Sequence, residues 1–160
     1  MAGSIQVQIP EDIKEEMGEM VENLKWFFDE NGIQINVSEP VVDEDGTIYI
    51  YLESEKYIKL SENQFDDLIE IIRNSGYYNA NGAENQIANY IGYKEWLVYD
   101  EFRSFYRDVV VNLEYYEVQA NGTTTYYLDH ITVAGNTIHG EETEEEETER
   151  SEESEEENDE

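Results

Sequence analysis

Charge constrains this chain before any pattern does. Forty acidic residues face 9 basic ones, a formal net charge of −31 over 160 residues. A domain of ordinary composition carries roughly 2–8 units. Self-repulsion on this scale opposes compaction, so a folded body must enclose enough apolar surface to offset it. A Glu-rich end accounts for part of the excess. Residues 141–160 hold 14 acids and a single base, Arg150. The remaining residues 1–140 still carry 26 acids against 8 bases, a net of −18.

That division sets the expected domains: one acidic α+β domain over residues 1–140 and a disordered Glu-rich tail over 141–160. With 39% hydrophobic and 12% aromatic residues, the body can build a core. Cysteine is absent, which excludes a disulfide framework, a thiolate zinc site and a Cys nucleophile. Residues 1–5 show no basic segment leading into an apolar run, so no secretory signal is expected. No apolar stretch nears the ~20 residues of a membrane helix. A cytoplasmic protein with no membrane partner is the expectation. Salt adaptation also produces acidity, but this chain favours Glu, Asn, Ile and Tyr over the Asp, Ala and Val usual in such proteins.

Along the chain, residues 5–9 alternate as a strand. Pro10 then opens a helix in which Ile13, Met17, Met20, Leu24 and Phe27 form one apolar stripe, closed by Asn31 and Gly32. Residues 33–37 alternate again. Asp45-Gly46 reads as a hairpin turn between Val41-Val42 and residues 47–52. A further short strand is expected at 57–60. Ser61 with Gln64 three residues on is a capping-box pattern. It starts a helix carrying Phe65, Leu68, Ile69 and Ile72, ending near Ser75-Gly76. Residues 83–90 and 95–108 read as helices, with Trp96, Tyr99, Phe102 and Tyr106 sharing a face. Asn121-Gly122 marks a second hairpin. The expected fold is therefore α+β, a largely antiparallel sheet with about three to four helices.

No motif for chemistry emerges. Glycine loops for nucleotides and the His-Glu-x-x-His pattern are missing. His130, His139 and Asp129 lie near one another in sequence but match no metal-ligand spacing, so no metal, cofactor or catalytic residue is expected. Eight bases in the acidic body cannot form the cationic stripe that phosphate binding needs, which argues against direct nucleic-acid binding. Arg103 and Arg107 are expected to pair with Asp100, Glu101 or Asp108.

The acids of the first helix do form a pattern. Asp12, Glu15, Glu16, Glu19 and Glu22 occupy the side opposite its apolar stripe. Carboxylates one turn apart are about 6 Å apart along the axis, comparable to phosphates along a nucleic-acid strand. Such a run can enter the basic groove of a nucleic-acid-binding protein. Residues 43–45, 53–55, 62–70 and 100–101 can extend it. Ordinary solvated surfaces mix signs, and this one lacks compensating lysines. Tyrosine adds to the pattern, with 13 in the chain. In residues 47–52, Ile48, Ile50 and Leu52 take one face and leave Tyr49 and Tyr51 on the other, suited to contacts with Arg and Lys.

In size, acidity, lack of cysteine and acidic tail, the chain resembles the small phage or mobile-element inhibitors that mimic DNA, including anti-restriction and anti-CRISPR proteins. That resemblance implies a non-enzymatic inhibitor covering the DNA- or RNA-binding surface of a host defence nuclease or complex. The expected partner is a basic nucleic-acid-binding protein, met by Asp12, Glu15, Glu16, Glu19, Glu22, Tyr49 and Tyr51. Two other readings share this chemistry: an immunity protein against a basic nuclease toxin, and an acidic chaperone for basic proteins that works through its tail. The oligomeric state is left open by the sequence.

Overall fold

The structure, a computed structural model, describes residues 10–136. The expected strand at 5–9, His139 and the tail at 141–160 lie outside the described residues. Pro10, with φ −55°, suits the entry to helix α1 (Glu11–Glu30), and Glu11 and Asp12 fall in its first turn, where the helix dipole favours anions. The far end closes as a Schellman turn. Gly32 takes φ +68°, its N–H donates to the Asp29 carbonyl, and the Ile33 N–H donates to the Phe28 carbonyl at 2.8 Å.

Two short strands, β1 (Asn36–Val37) and β2 (Val41–Val42), both pair antiparallel with β3 (Thr47–Ser61). The Asp45-Gly46 hairpin therefore forms as expected. The strand expected at 57–60 is the second half of β3, after an irregular stretch between Glu53 and Ile58. Ser61 caps helix α2 (Glu62–Asn74) with the full capping box. Its hydroxyl accepts from the Gln64 N–H at 3.2 Å, and its own N–H donates to Gln64 Oε1 at 2.9 Å. The Gln64 amide also donates to Asn31 Oδ1 at 3.0 Å, tying the start of α2 to the end of α1. Asn23 donates to the Ser75 hydroxyl at 3.0 Å near the other end of α2. These two links set the helices roughly antiparallel.

Four long strands complete the chain: β4 (Tyr77–Tyr90), β5 (Tyr93–Ser104), β6 (Val109–Ala120) and β7 (Thr123–Asn136). The sheet is antiparallel throughout, in the order β1-β3-β7-β6-β5-β4, with β2 also on β3. Asn121 (φ 55°) and Gly122 (φ 78°) form the two-residue turn of the β6–β7 hairpin, both in the left-handed region such turns require.

Three to four helices were expected, and among the described residues there are two. Residues 83–90 and 95–108 belong instead to strands β4 and β5 and to the loop after β5. Trp96, Tyr99, Phe102 and Tyr106 do recur at helical intervals, but a second period fits the same residues. Trp96, Val98 and Phe102 alternate toward the helices, while Glu95, Tyr99 and Glu101 alternate away. Tertiary pairing decides such cases: β5 hydrogen-bonds to β6 along its whole length, and its aromatic and branched residues suit that setting.

Both helices cover the same sheet face. Ile13, Met17, Met20, Leu24, Phe27 and Phe28 of α1 join Phe65, Leu68 and Ile72 of α2 over Ile48, Leu52, Leu60, Val111, Leu113, Leu128, Ile131 and Val133. Phe65 stacks on Tyr126 with ring centroids 3.9 Å apart. Helix α1 comes closest to β7 at Gly135. A Cβ there would lie 2.6 Å from Ile13 Cγ2 and 2.8 Å from Met17 Sδ, both inside contact distance.

Opposite effects are expected at two glycines. Gly135→Ala pushes α1 off the sheet and should cost about 1–3 kcal/mol. Gly18, on the exposed side of α1 with open space around it, should gain up to about 1 kcal/mol as alanine. Thermal or urea denaturation of both variants checks this; a neutral Gly135→Ala would show that the helix does not depend on that approach.

Candidate partner-binding surfaces

Helix α1 turns its apolar stripe to the sheet and leaves Asp12, Glu15, Glu19 and Glu22 exposed on the outside. Their spacing of 3, 4 and 3 residues spans about 15 Å of helix axis. Asp12 Oδ2 lies 3.7 Å from Arg107 Nε, and Glu22 Oε2 lies 3.8 Å from Lys25 Nζ. Both pairs are solvent-exposed, where such contacts contribute roughly 0–1 kcal/mol and yield easily to a competing partner. Arg107 thus reaches α1 while its Nη1 also donates to the Tyr106 carbonyl on its own segment at 3.0 Å. Arg103 does pair locally, with Glu101 at 2.7 Å.

Glu16 behaves differently. It is half-buried, and the hydroxyl of buried Tyr77 donates to its Oε2 at 2.8 Å. This carboxylate holds β4 to α1. Asp100 does the same inside the sheet, accepting from the Tyr115 hydroxyl at 2.6 Å.

Helix α2 extends the outer acidic layer with exposed Glu62, Asp66, Asp67 and Glu70, against Arg73 alone. Together the two helices present eight acids and two lysines on α1, and four acids and one arginine on α2.

Tyr49 and Tyr51 lie on the other face of the sheet, which no helix covers among the described residues. Ile48, half-buried Ile50 and Leu52 point to the core, so the tyrosines project away from it. Their rings stack with centroids 6.2 Å apart, and His130 lies 6.4 Å from Tyr51. Partial burial, then the neighbouring Asp43, pushes the Tyr49 phenol up. The seven candidate residues therefore do not converge. Four acids face outward from α1, Glu16 is committed to Tyr77, and the two tyrosines occupy the opposite side of the molecule.

On that open face, a bulge at Asp129 shifts the β6–β7 register between Glu114 and Tyr115. It gathers Glu114, Asp129 and His130, whose potential ligand atoms lie within 4.8 Å of one another. Among the described residues, these are the ones that could hold a divalent cation. His130 Nδ1 is 2.9 Å from Asp129 Oδ2, so the ring and that carboxylate already partner each other. Glu114 was not among the residues singled out in the sequence; only cross-strand register places it opposite His130.

A third feature was also missed. Tyr57, Tyr93, Glu95, Tyr116, Val118 and Tyr127 line an open cavity of about 560 Å³ on the same face. One signal for it was present in the sequence. A two-residue turn at Asn121 and Gly122 pairs Ala120 with Thr123 and, counting outward, Tyr116 with Tyr127. Compared with known proteins, the chain matches no family model, no curated protein and no solved structure. Among the described residues, no helix is long and apolar enough to cross a membrane.

The two buried tyrosines make stability fall in alkali. Burial, then the hydrogen bond to a carboxylate, pushes Tyr77 and Tyr115 well above the ordinary phenol range. Below about pH 10 both folded and unfolded chains keep these protons, so the contribution is complete. At higher pH the unfolded chain releases them and the folded chain does not, so stability declines as pH rises. The urea midpoint should drop steadily above about pH 10, with a shallower slope in Tyr115→Phe. An unchanged midpoint across that range would mean that these hydroxyls are not coupled to folding.

Proposed function

We propose that this protein is a non-enzymatic inhibitor that presents a nucleic-acid-like array of carboxylates to the basic surface of a nucleic-acid-binding protein. A host defence nuclease or its complex, of the kind met by anti-restriction and anti-CRISPR inhibitors, is the target class. The observation that carries the reading is the outer helix layer, where Asp12, Glu15, Glu19 and Glu22 line α1 and the acids of α2 lie beside them with few bases between. Solvated surfaces of ordinary proteins intersperse both signs.

The physical advantage is twofold. Long-range attraction to a basic groove raises the encounter rate, and it weakens as salt screens it. A helix then holds its carboxylates at fixed spacing, so little side-chain and backbone order is lost on docking. DNA itself should be repelled.

Competition against a fluorescent duplex tests this, using a panel of purified restriction endonucleases and CRISPR effector complexes. The protein should displace the duplex from at least one of them, less effectively as salt rises, and should not shift the duplex alone. Glu15→Lys, Glu19→Lys and Glu22→Lys together should weaken displacement by at least about tenfold, as expected for desolvated charge contacts. Glu16 is spared because its loss would strand the Tyr77 hydroxyl. Reversing Glu152, Glu153 and Glu155 in the tail alters net charge equally and should cost less than about threefold, the scale of an encounter-rate effect. Equal losses from both triple variants would reduce the effect to bulk charge, and direct duplex binding would sink the proposal.

A further inference from the structure

The open sheet face carries a pocket that the helix layer does not use. Tyr116 and Val118 stand two residues apart on β6 and so project from the same face. Register places Tyr127 of β7 opposite Tyr116, and Glu95 of β5 opposite Val118. Tyr93, two residues before Glu95, shares that side. Tyr57 reaches in from the irregular stretch of β3 and meets Tyr116 edge to face, with centroids 5.5 Å apart and planes at 86°. The cavity of about 560 Å³ is thus walled by four phenol rings, with Val118 and a single carboxylate, Glu95.

Its chemistry is that of a cation site. Aromatic faces carry negative quadrupole potential and attract an organic cation. The Tyr93 hydroxyl donates to Glu95 Oε1, which fixes the carboxylate and leaves its second oxygen to accept from a guest. The hydrogen bond with Tyr116 pushes the Tyr57 phenol up, and Asp129 and Glu114 act in the same direction more weakly. Lys59, opposite Tyr127 in register, is exposed and does not line the cavity.

We propose that Tyr57, Tyr93, Tyr116 and Tyr127, with Glu95, form a pocket for the guanidinium group of an arginine side chain on the basic partner. Guanidinium suits it better than ammonium. It is planar, stacks on aromatic rings, is weakly hydrated and pairs with a carboxylate through a fork of N–H donors. The source of the arginine rests on the basic-partner reading above; binding of the guanidinium group does not. The pocket lies on the opposite side of the sheet from the acidic helices, so a partner engaging both must wrap around one edge of the domain, or two molecules must bind.

The test is an NMR titration of the full chain with N-acetyl-arginine methylamide, read on the tyrosine ring signals. The citrulline analogue, of the same shape but uncharged, is the control. At about physiological salt, where surface charge is screened beyond about 8 Å, the signals of Tyr57, Tyr93, Tyr116 and Tyr127 should shift saturably with the arginine probe. The citrulline probe should bind at least about tenfold more weakly, from the combined loss of cation–π and charged hydrogen-bond attraction. Glu95→Gln keeps the shape of the pocket, and Tyr116→Leu keeps apolar bulk without a π face. Each should weaken the arginine probe at least about threefold. The Glu15/Glu19/Glu22 charge reversal should leave it unchanged. Equal response to both probes overturns the pocket, as do shifts spread over the acidic helices that survive Glu95→Gln. Duplex displacement with no arginine response would discard the pocket and keep the mimic; the reverse result would discard the mimic and keep the pocket.

Discussion

Helix α1 lies directly on β7 because residue 135 has no side chain, and the placement of charge follows from that approach. Ile13 and Met17 occupy the space a Cβ would fill, which brings the apolar stripe of α1 down onto Ile48 and the central strands. A chain this acidic needs such close packing. Each buried Leu, Ile, Phe or Met side chain stabilises the fold by about 1.5–3 kcal/mol, and that gain must exceed both chain entropy and the repulsion among surface carboxylates. With the stripe facing inward, helical geometry turns Asp12, Glu15, Glu19 and Glu22 to solvent.

The acids divide into two physical groups. Glu16 and Asp100 accept hydrogen bonds from Tyr77 and Tyr115, and so serve the fold. The outward acids of α1 and α2 meet few bases, and the pairs they do form, with Arg107 and Lys25, are exposed. A partner can displace exposed pairs of this kind at little cost, whereas it could not recruit Glu16 without leaving a buried hydroxyl unsatisfied. Net charge alone does not distinguish these groups; burial and hydrogen bonding do.

The two faces of the sheet differ in what they would offer the proposed basic partner. The helix layer has many carboxylates and acts at long range. The open face carries its carboxylates, Glu95, Glu101, Glu114 and Asp129 among them, beside tyrosines, and in the proposed pocket short-range stacking and Glu95 would select a guanidinium group. A polyanion mimic built from charge alone would bind any basic surface. On the proposed reading, aromatic contacts with defined geometry would make such a mimic selective among basic partners.

Local signals were legible in the residues themselves. The stripe of α1, its Gly32 stop, the Ser61–Gln64 capping box, both Asx-Gly turns and the outward direction of Tyr49 and Tyr51 all rest on interactions within a few residues, so one sequence suffices to read them. Other features depended on partners distant in the chain. Strand β5 and the loop after it resembled a helix because Trp96, Tyr99, Phe102 and Tyr106 satisfy the helical period, and only pairing with β4 on one side and β6 on the other selects the extended alternative. Glu16 looked like its neighbours until Tyr77, 61 residues away, claimed it. Glu114 joined Asp129 and His130 through a bulge, and the tyrosine pocket assembled from β3, β5, β6 and β7. Periodicity determines which side of an element is apolar; register and bulges, set by the packing of the whole sheet, determine which polar and aromatic side chains meet.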